Sequence, residues 1–224
     1  MYNIYKTKTQ ICPDDAYEYL LCHSIINGHN EAIIAIKNDY KNLQYKTFHN
    51  IVAFNDATGA GFNDTLLLLK KLFPEMKGDS KAYIYATKHN KKSTIQLLQK
   101  EFDYIEFPNE AFNEAAKKGN NELLLLFKQL FYGKGDYNAY NLAAENRMKE
   151  TIILLKNEFP YIDIRNEIFE YIAKKGNKQM LYFIIKEFPN LSCTYKAIHK
   201  ALQRQNFEIY YLLKQLFPKV NKKY

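Results

Sequence analysis

The chain has 224 residues, of which 47% are hydrophobic and 15% aromatic, and 32 Lys and Arg against 24 Asp and Glu give a formal net charge of +8. This composition excludes an intrinsically disordered chain, and the mild basic excess favours acidic partners. The apolar runs are too short for a bilayer and the start lacks the apolar region of a secretory signal. We therefore expect a cytoplasmic protein without a membrane partner, in the cytosol of its own cell or of a host.

The first predicted element is an N-terminal cap over residues 1–15, in which Pro13 begins a helix. Residues 16–218 then form seven repeats, with room for a larger loop at 39–47. Residues 219–224 are a short basic tail, and we predict one domain over 1–224. Each repeat is aligned on a turn residue, here called the reference position. The reference positions are Gly28, Gly61, Asn90, Gly119, Arg147, Gly176 and Gln205.

Each repeat is predicted to open with a short helix before its reference position. An apolar residue stands seven positions before the reference position and a small residue four positions before it, as in Phe112 and Ala115. This spacing puts both on one helical face, and the small side chain permits a close approach of the neighbouring helix. The small residues are Ser24, Ala57, Ala86, Ala115, Ala143 and Ala201, with Ile172 as the exception.

A second helix is predicted to follow each reference position. Asn120, Asn177 and Asn206 are natural N-caps for it. An aromatic residue twelve positions after the reference position marks its end, and proline often follows. These residues are Tyr40, Phe73, Phe102, Phe131, Phe159, Phe188 and Phe217. One such hairpin cannot bury its apolar faces alone, whereas seven stacked hairpins share a continuous core.

Two of these repeats, "AFNEAAKKGNNELLLLFKQLF" and "AIHKALQRQNFEIYYLLKQLF", resemble the ankyrin repeat, whose string is T-P-L-H-x-A-A-x-x-G-H-x-E-V-V-x-x-L-L. The matches are the alanine pair at 115–116, the turn residue Gly119, "GHNE" from Gly28 and "IHKA" from Ile198. The resemblance covers about residues 16–218. It implies an all-α, ankyrin-like repeat solenoid of about seven stacked helix-turn-helix units.

Two features depart from the ankyrin pattern. Most repeats here span 28 or 29 residues instead of about 33, and the Thr-Pro dipeptide is absent. The missing residues must come from the connection that normally forms a β-hairpin finger, so we expect shortened or absent fingers. Such divergent arrays are similar to those of giant viruses, intracellular bacteria and protists. Tetratricopeptide units of about 34 residues and HEAT units of about 40 do not fit the spacing.

The sequence offers little for catalysis. Cys22, His23 and His29 lie close together, but no acidic partner recurs around them. The "GAG" at 59–61 lacks the strand and the Lys-Ser/Thr of a phosphate loop. The three cysteines and the scattered histidines show no metal-ligand spacing. We predict no catalytic residue, no cofactor, no metal and a reducing compartment.

Cations at the ends of the first helices form the candidate partner site, here called the basic row. It comprises Lys88, His89, Lys117, Lys118, Arg147, Lys174, Lys175 and Arg204. Because successive repeats stack, the row would run along the solenoid and attract an acidic protein surface or a phosphate backbone. Alternatively, these cations only offset the negative dipole end of each helix.

Three function classes follow from these features. The resemblance implies a monomeric protein-protein interaction scaffold that binds an unidentified protein partner through its concave repeat surface. Nucleic-acid binding by the basic row is the alternative, although the recurrent aromatics fall at helix ends and are not interleaved with the cations for stacking. An enzyme is not expected, because repetition does not bring different reactive groups to one place.

Overall fold

The computed structural model describes residues 13–39 and 47–222, which form fourteen α-helices and a short 3-10 helix without any strand. The helices are α1 (Pro13–Ile26), α2 (Asn30–Asp39), α3 (Thr47–Ala60), α4 (Asn63–Leu72), α5 (Lys81–Lys88), α6 (Lys92–Glu101), α7 (Asn109–Lys118), α8 (Asn121–Leu130), α9 (Asn138–Glu145), α10 (Lys149–Glu158), α11 (Ile168–Lys175), α12 (Lys178–Glu187), α13 (Tyr195–Gln203) and α14 (Phe207–Leu216). The predicted all-α class is confirmed, and residues 13–39 and 47–222 contain no β-hairpin finger.

The chain divides into two compact units, Met1–Glu106 with α1 to α6 and Phe107–Tyr224 with α7 to α14. The predicted single domain with its cap and tail stays a prediction. Helix α1 begins at Pro13 as predicted, and within the predicted tail Pro218–Lys222 forms the 3-10 helix. The predicted loop at 39–47 lies almost wholly outside the described residues, as does Cys12.

Within each unit, consecutive hairpins stack through their first helices, which we call the inner helices. In the first unit α3 packs between α1 and α5, and in the second unit α9 packs between α7 and α11, with α13 beyond α11. The second helices, called outer helices, pack on the inner helix of their own hairpin. This arrangement is the predicted stack of helix-turn-helix units.

The reference positions all adopt the left-handed conformation that turns an inner helix into an outer helix. Their φ angles are 67° at Gly28, 84° at Gly61, 55° at Asn90, 69° at Gly119, 66° at Arg147, 66° at Gly176 and 57° at Gln205. Glycine accommodates this conformation without a Cβ clash, whereas Arg147 and Gln205 occupy it at a cost of about 1–2 kcal/mol. The turn is therefore set by the fold and not by glycine alone.

Aromatic pairs, each with a buried ring on the inner helix, join consecutive repeats inside each unit. In each pair, the aromatic residue seven positions before a reference position packs edge to face against another aromatic residue. That second residue lies twelve positions after the following reference position. The pairs are Phe54 with Phe102, Phe112 with Phe159, Tyr140 with Phe188 and Phe169 with Phe217, with ring centroids 5.1 to 5.8 Å apart. Such pairs add to the apolar area that the rings bury.

The small residues four positions before the reference positions are buried as predicted. Ala57, Ala86, Ala115, Ala143 and Ala201 are fully buried, so the inner helices approach closely there. One repeat has Ile172 at this position, and that side chain is fully buried too.

Hydrogen bonds also connect the outer helices of neighbouring repeats. Buried threonines donate to an asparagine of the preceding repeat: Thr65 to Asn30, Thr94 to Asn63 and Thr151 to Asn121, at 2.6 to 2.7 Å. Lysines nine positions after a reference position make ion pairs with the last glutamate of the next outer helix. The pairs are Lys70 with Glu101, Lys128 with Glu158 and Lys156 with Glu187.

All three predicted asparagines occupy the N-cap position, and two of them cap their helix through a side-chain hydrogen bond. Asn120 and Asn177 accept the backbone N–H groups of Leu123 and Met180, each at 3.1 Å. Asn206 caps no N-terminus of its own helix. Its amide nitrogen instead donates at 2.8 Å to the carbonyl of Ala173, near the end of α11, the inner helix of the preceding repeat. The side chain therefore satisfies a helix C-terminus, where carbonyls lack intrahelical donors.

A polar pair connects consecutive inner helices at two places. The Asn55 amide donates to the Asp79 carboxylate at 2.7 Å, and the Asn113 amide donates to Asp136 at 3.1 Å. Each aspartate also accepts the first backbone N–H of the helix that follows it, at 2.9 and 2.8 Å. One carboxylate thus caps a helix and satisfies a buried amide.

The equivalent pair is missing on α9. Asn141 is 1% exposed, and neither atom of its amide has a hydrogen-bond partner among the described residues. The place of the aspartate is taken by Arg165, whose guanidinium lies 3.9 Å from the centroid of the Tyr137 ring.

We expect the substitution Arg165→Asp to raise the free energy of unfolding by about 1 kcal/mol, because the new carboxylate would accept from Asn141 and from the backbone N–H of Glu167. Urea unfolding followed by circular dichroism measures the change. Arg165→Ala is the matched control, because it removes the guanidinium without supplying an acceptor. Equal stability of the two variants would contradict the prediction.

Candidate functional site

All eight residues of the basic row lie at or just beyond the C-terminal ends of inner helices, and all eight are exposed. Lys88 and His89 belong to the first unit and the other six residues to the second. Within the second unit, Lys117 and Lys174 occupy the same register position on α7 and α11. The role of the basic row in binding stays a prediction.

In the second unit the lysines of the basic row pair with glutamates of the inner helices. Lys117 and Lys118 lie 3.3 and 3.9 Å from the Glu114 carboxylate. Lys174 and Lys175 reach across one repeat to Glu145, at 2.8 and 3.6 Å. The row therefore alternates in charge in this unit and is not a uniform positive stripe.

Glu145 is the centre of this charge network. Burial alone would raise the pKa of its carboxyl, but the hydrogen bonds and charges of Lys174 and Lys175 outweigh burial and hold that pKa below its ordinary value. A third pair, Lys200 with Glu170 at 3.1 Å, continues the alternation on the neighbouring inner helices. Glu170 also accepts the hydroxyl of Thr194 at 3.2 Å.

The first unit differs because two register positions of the basic row hold residues without a long side chain. Gly59 and Ala60 on α3 stand where Lys117 and Lys118 stand on α7. A groove of about 650 Å³ opens at this place, here called the glycine groove. It is lined by Ile26, Asp56, Gly59, Ala60, Tyr85, Lys88, His89 and Lys91.

The walls of the glycine groove combine an apolar side with a cationic side. Ile26 is 40% exposed at the end of α1. On α5 the Lys88 ammonium lies 5.6 Å from the centroid of the Tyr85 ring, a cation–π contact that holds the lysine beside the groove. Basic-row residues Lys88 and His89 therefore flank a cavity, and Lys91 adds a second ammonium group.

Sequence reasoning identified Lys88 and His89 but missed the groove beside them. The sequence did contain a signal for the groove, because residues 59 and 60 both lack a long side chain. In the alignment of the repeats these two residues appear only as an interruption of the basic row. The structure also places the "GAG" stretch: Gly59 lies inside α3 and Gly61 is the left-handed turn. A Cβ on Gly59 would stand 3.3 Å from the Cβ of Tyr85, so α3 and α5 approach closely there.

The two described cysteines are poor nucleophiles. Burial, with a smaller effect from Glu18, raises the pKa of the Cys22 thiol to about 11. Burial and then Glu170 raise the pKa of the Cys193 thiol to about 12. Neither thiol forms a disulfide, and the described residues contain no group of three His, Cys, Asp or Glu that could hold a metal ion.

We expect these thiols to react with iodoacetamide at neutral pH at least about ten-fold more slowly in the folded protein than in urea, because the thiolate is the reactive form and each raised pKa unit lowers its fraction about ten-fold. Pulse alkylation of a Cys12→Ser variant followed by mass spectrometry measures both sites. Rapid labelling of the folded protein would show that burial does not suppress the thiolates.

The stacked hairpins, the left-handed turns and the absence of a β-hairpin finger from the described residues give the fold of an ankyrin-type repeat array. Among 28 matching chains of solved structures is the ankyrin repeat domain of human ASB11. The two chains are 13% identical, the alignment covers 85% of this chain and 96% of that chain, and the TM-score is 0.54. No family model and no curated protein matches the sequence.

The ankyrin-repeat resemblance is thus confirmed at the level of the fold. Stacked repeats of this kind present an extended surface. None of the described helices is long and apolar enough to cross a membrane.

Proposed function

We propose that the protein is a non-enzymatic scaffold that binds a protein partner through the surface of its inner helices. The observation that carries this proposal is the glycine groove, a cavity of about 650 Å³ at the ends of inner helices with cationic and apolar walls. The groove places polar groups beside apolar side chains, and such polar groups can orient a bound chain. We further propose that the protein acts as a monomer in the cytoplasm.

The inner helices are favoured as the binding surface because the groove lies at their ends. The outer-helix lysines join neighbouring repeats. Lys156, for example, makes an ion pair with Glu187, and its ammonium group also lies 5.1 Å from the centroid of the Phe188 ring. These side chains stabilise the stack. At the glycine groove, in contrast, Ile26, Tyr85 and Lys88 border an open space at the ends of the inner helices.

A protein partner is favoured over nucleic acid by the charge pattern of the second unit. A phosphate backbone binds best to a continuous run of cations, with each contact releasing counterions. Lys117 and Lys174 are instead paired with Glu114 and Glu145. A partner with mixed surface chemistry fits this alternation better than a uniformly charged strand.

Photo-crosslinking tests the proposed function. A photoreactive phenylalanine analogue at position 85, in the groove, is compared with the same analogue at Gln96, an exposed position on the outer helix α6. We expect illumination in an extract of the source cell to yield a discrete protein adduct from position 85 and none from position 96. Equal adducts from both positions, or none from position 85, would refute the proposal.

A further inference from the structure

The last repeat of the second unit exposes a face that the earlier repeats of that unit pack against the repeat that follows. We call this surface the terminal face. Among the described residues no hairpin follows α14, after which the chain forms the 3-10 helix Pro218–Lys222. The residues of the terminal face share register positions that contact the following repeat elsewhere. They are Tyr195, His199, Leu202, Phe207 and Lys214.

The position three residues before the reference position lies in the interface between inner helices. It is at most 1% exposed in the other repeats of the second unit, where it holds Ala116, Ala144 and Ala173. In the first unit, the Thr58 hydroxyl at this position donates at 3.0 Å to the carbonyl of Ala82 on the next inner helix. On α13 the position holds Leu202, which is 46% exposed. The last repeat therefore has a larger apolar side chain at a position that the following repeat covers elsewhere.

The position two residues after the reference position shows the same change on the outer helix. Asn121 on α8 accepts the hydroxyl of Thr151 on the next outer helix at 2.7 Å. Lys178 on α12 pairs with Glu208 on α14 at 2.6 Å. On α14 itself this position holds Phe207, which is 52% exposed. An exposed ring thus replaces the polar residue that binds the following repeat.

Two further rings lie on the α13 side of the terminal face. Tyr195 and His199 stand ten and six positions before the reference position, and their ring centroids are 6.2 Å apart. At those positions Asn166 and Asn113 hydrogen-bond to the connection that leads into the following repeat. Tyr195 is 54% exposed, and His199 is exposed as well. Terminal repeats that cap an array have a polar outer face, whereas this one presents rings and a leucine.

The last repeat is also positively charged. Over residues 195–220, five Lys and Arg stand against one acidic residue, Glu208, which is paired with the preceding repeat. Lys214 occupies the position at which Lys128 and Lys156 pair with a glutamate of the next outer helix. Lys214 instead donates to the neutral hydroxyl of Tyr210 on its own helix at 3.1 Å. Like charges therefore oppose the pairing of two such faces and favour an acidic partner.

We propose that the terminal face binds an acidic amphipathic helix of a partner protein. The apolar stripe of that helix packs on Leu202 and Phe207, since these register positions receive helices of the following repeat elsewhere, and its carboxylates lie beside Lys214. Docking of an amphipathic helix on an apolar surface is a recurrent mode of recognition. The terminal face belongs to the second unit and the glycine groove to the first, so this inference goes beyond the proposed function.

Binding of three labelled helical peptides, measured by fluorescence anisotropy with the full chain, tests the class of partner. The first peptide repeats leucine at helical spacing and carries glutamate on its other faces. The second replaces every glutamate by lysine, and the third replaces every leucine by glutamine. We expect the first to bind at least about ten-fold more tightly than either of the others. No binding of the first peptide at about 50 mM salt would overturn the inference.

The double substitution Leu202→Ala and Phe207→Asn tests whether the peptide binds at the terminal face. It gives this face the alanine and the asparagine of an earlier repeat and leaves the charge unchanged. We expect the affinity for the first peptide to fall about ten-fold or more. The matched control is Tyr211→Asn, which removes a ring that is 66% exposed on α14, at a position where Tyr182 on α12 is 45% exposed. This control should leave the affinity unchanged.

An undiminished affinity of the double variant, or an equal loss with the control, would overturn the inference, because general attraction would then explain binding. If the double variant does not fold, as judged by circular dichroism, Phe207→Asn alone serves the same purpose. Sedimentation velocity of the unsubstituted chain should show a monomer. A dimer that the double substitution dissociates would mean that a second copy covers the terminal face, and would also overturn the inference. The crosslink from position 85 tests the first unit and does not depend on these results.

Discussion

Replacing Phe159 by alanine is expected to lower the free energy of unfolding by about 3–5 kcal/mol, the usual cost of removing a buried phenylalanine ring. Phe159 is fully buried, and its ring meets Phe112 of the preceding repeat at 5.1 Å and 82°. Its backbone N–H also closes α10 by donating to Leu155. The ring therefore belongs to the cores of two repeats, and its loss leaves a cavity between them. Urea unfolding measured by circular dichroism gives the change.

The matched control for Phe159→Ala is Tyr182→Ala, which removes a ring that is 45% exposed on α12. Substitutions at exposed sites usually change stability by no more than about 0.5 kcal/mol. Phe159→Leu keeps most of the volume and should cost less than the alanine variant. A loss below about 1 kcal/mol for Phe159→Ala would show that the neighbouring helices collapse around the cavity.

The sequence predicted where Phe159 lies but not what it touches. An aromatic residue recurs twelve positions after each reference position, and this recurrence predicted the end of an outer helix. Helix α10 ends at Glu158, one residue before Phe159. The edge-to-face partner, Phe112, lies in the preceding repeat. That pairing depends on the offset with which two hairpins stack, which periodicity within one chain does not specify.

The candidate site shows the same limit more clearly. Exposure of the basic row at the ends of inner helices followed from its register position alone. The pairing of Lys174 with Glu145 did not, because the two residues are 29 positions apart and meet only when α9 and α11 stack. The glycine groove was missed because a helical glycine is compatible with many local structures. Its close neighbours, Tyr85 and His89, come from α5 of the next repeat and are known only once the repeats are stacked.

The left-handed turns were predicted as turns, but the residues that tolerate them poorly were not recognised as strained. Arg147 and Gln205 have φ angles of 66° and 57°, in a region that favours glycine. Four of the seven reference positions hold glycine in the same conformation. The double substitution Arg147→Gly and Gln205→Gly is therefore expected to raise the free energy of unfolding by about 2 kcal/mol, or about 1 kcal/mol at each site.

The two gains should add, because the residues lie in different repeats and share no partner among the described contacts. The gain per site is smaller than the full cost of the left-handed conformation, since glycine loses more backbone entropy on folding. Gln203→Gly is the matched control: it is exposed at the C-terminal end of α13 and has no positive φ, so glycine should bring no gain there. Urea unfolding of all variants measures these changes. Destabilisation by Arg147→Gly would mean that the arginine side chain contributes more to the folded state than its backbone strain costs.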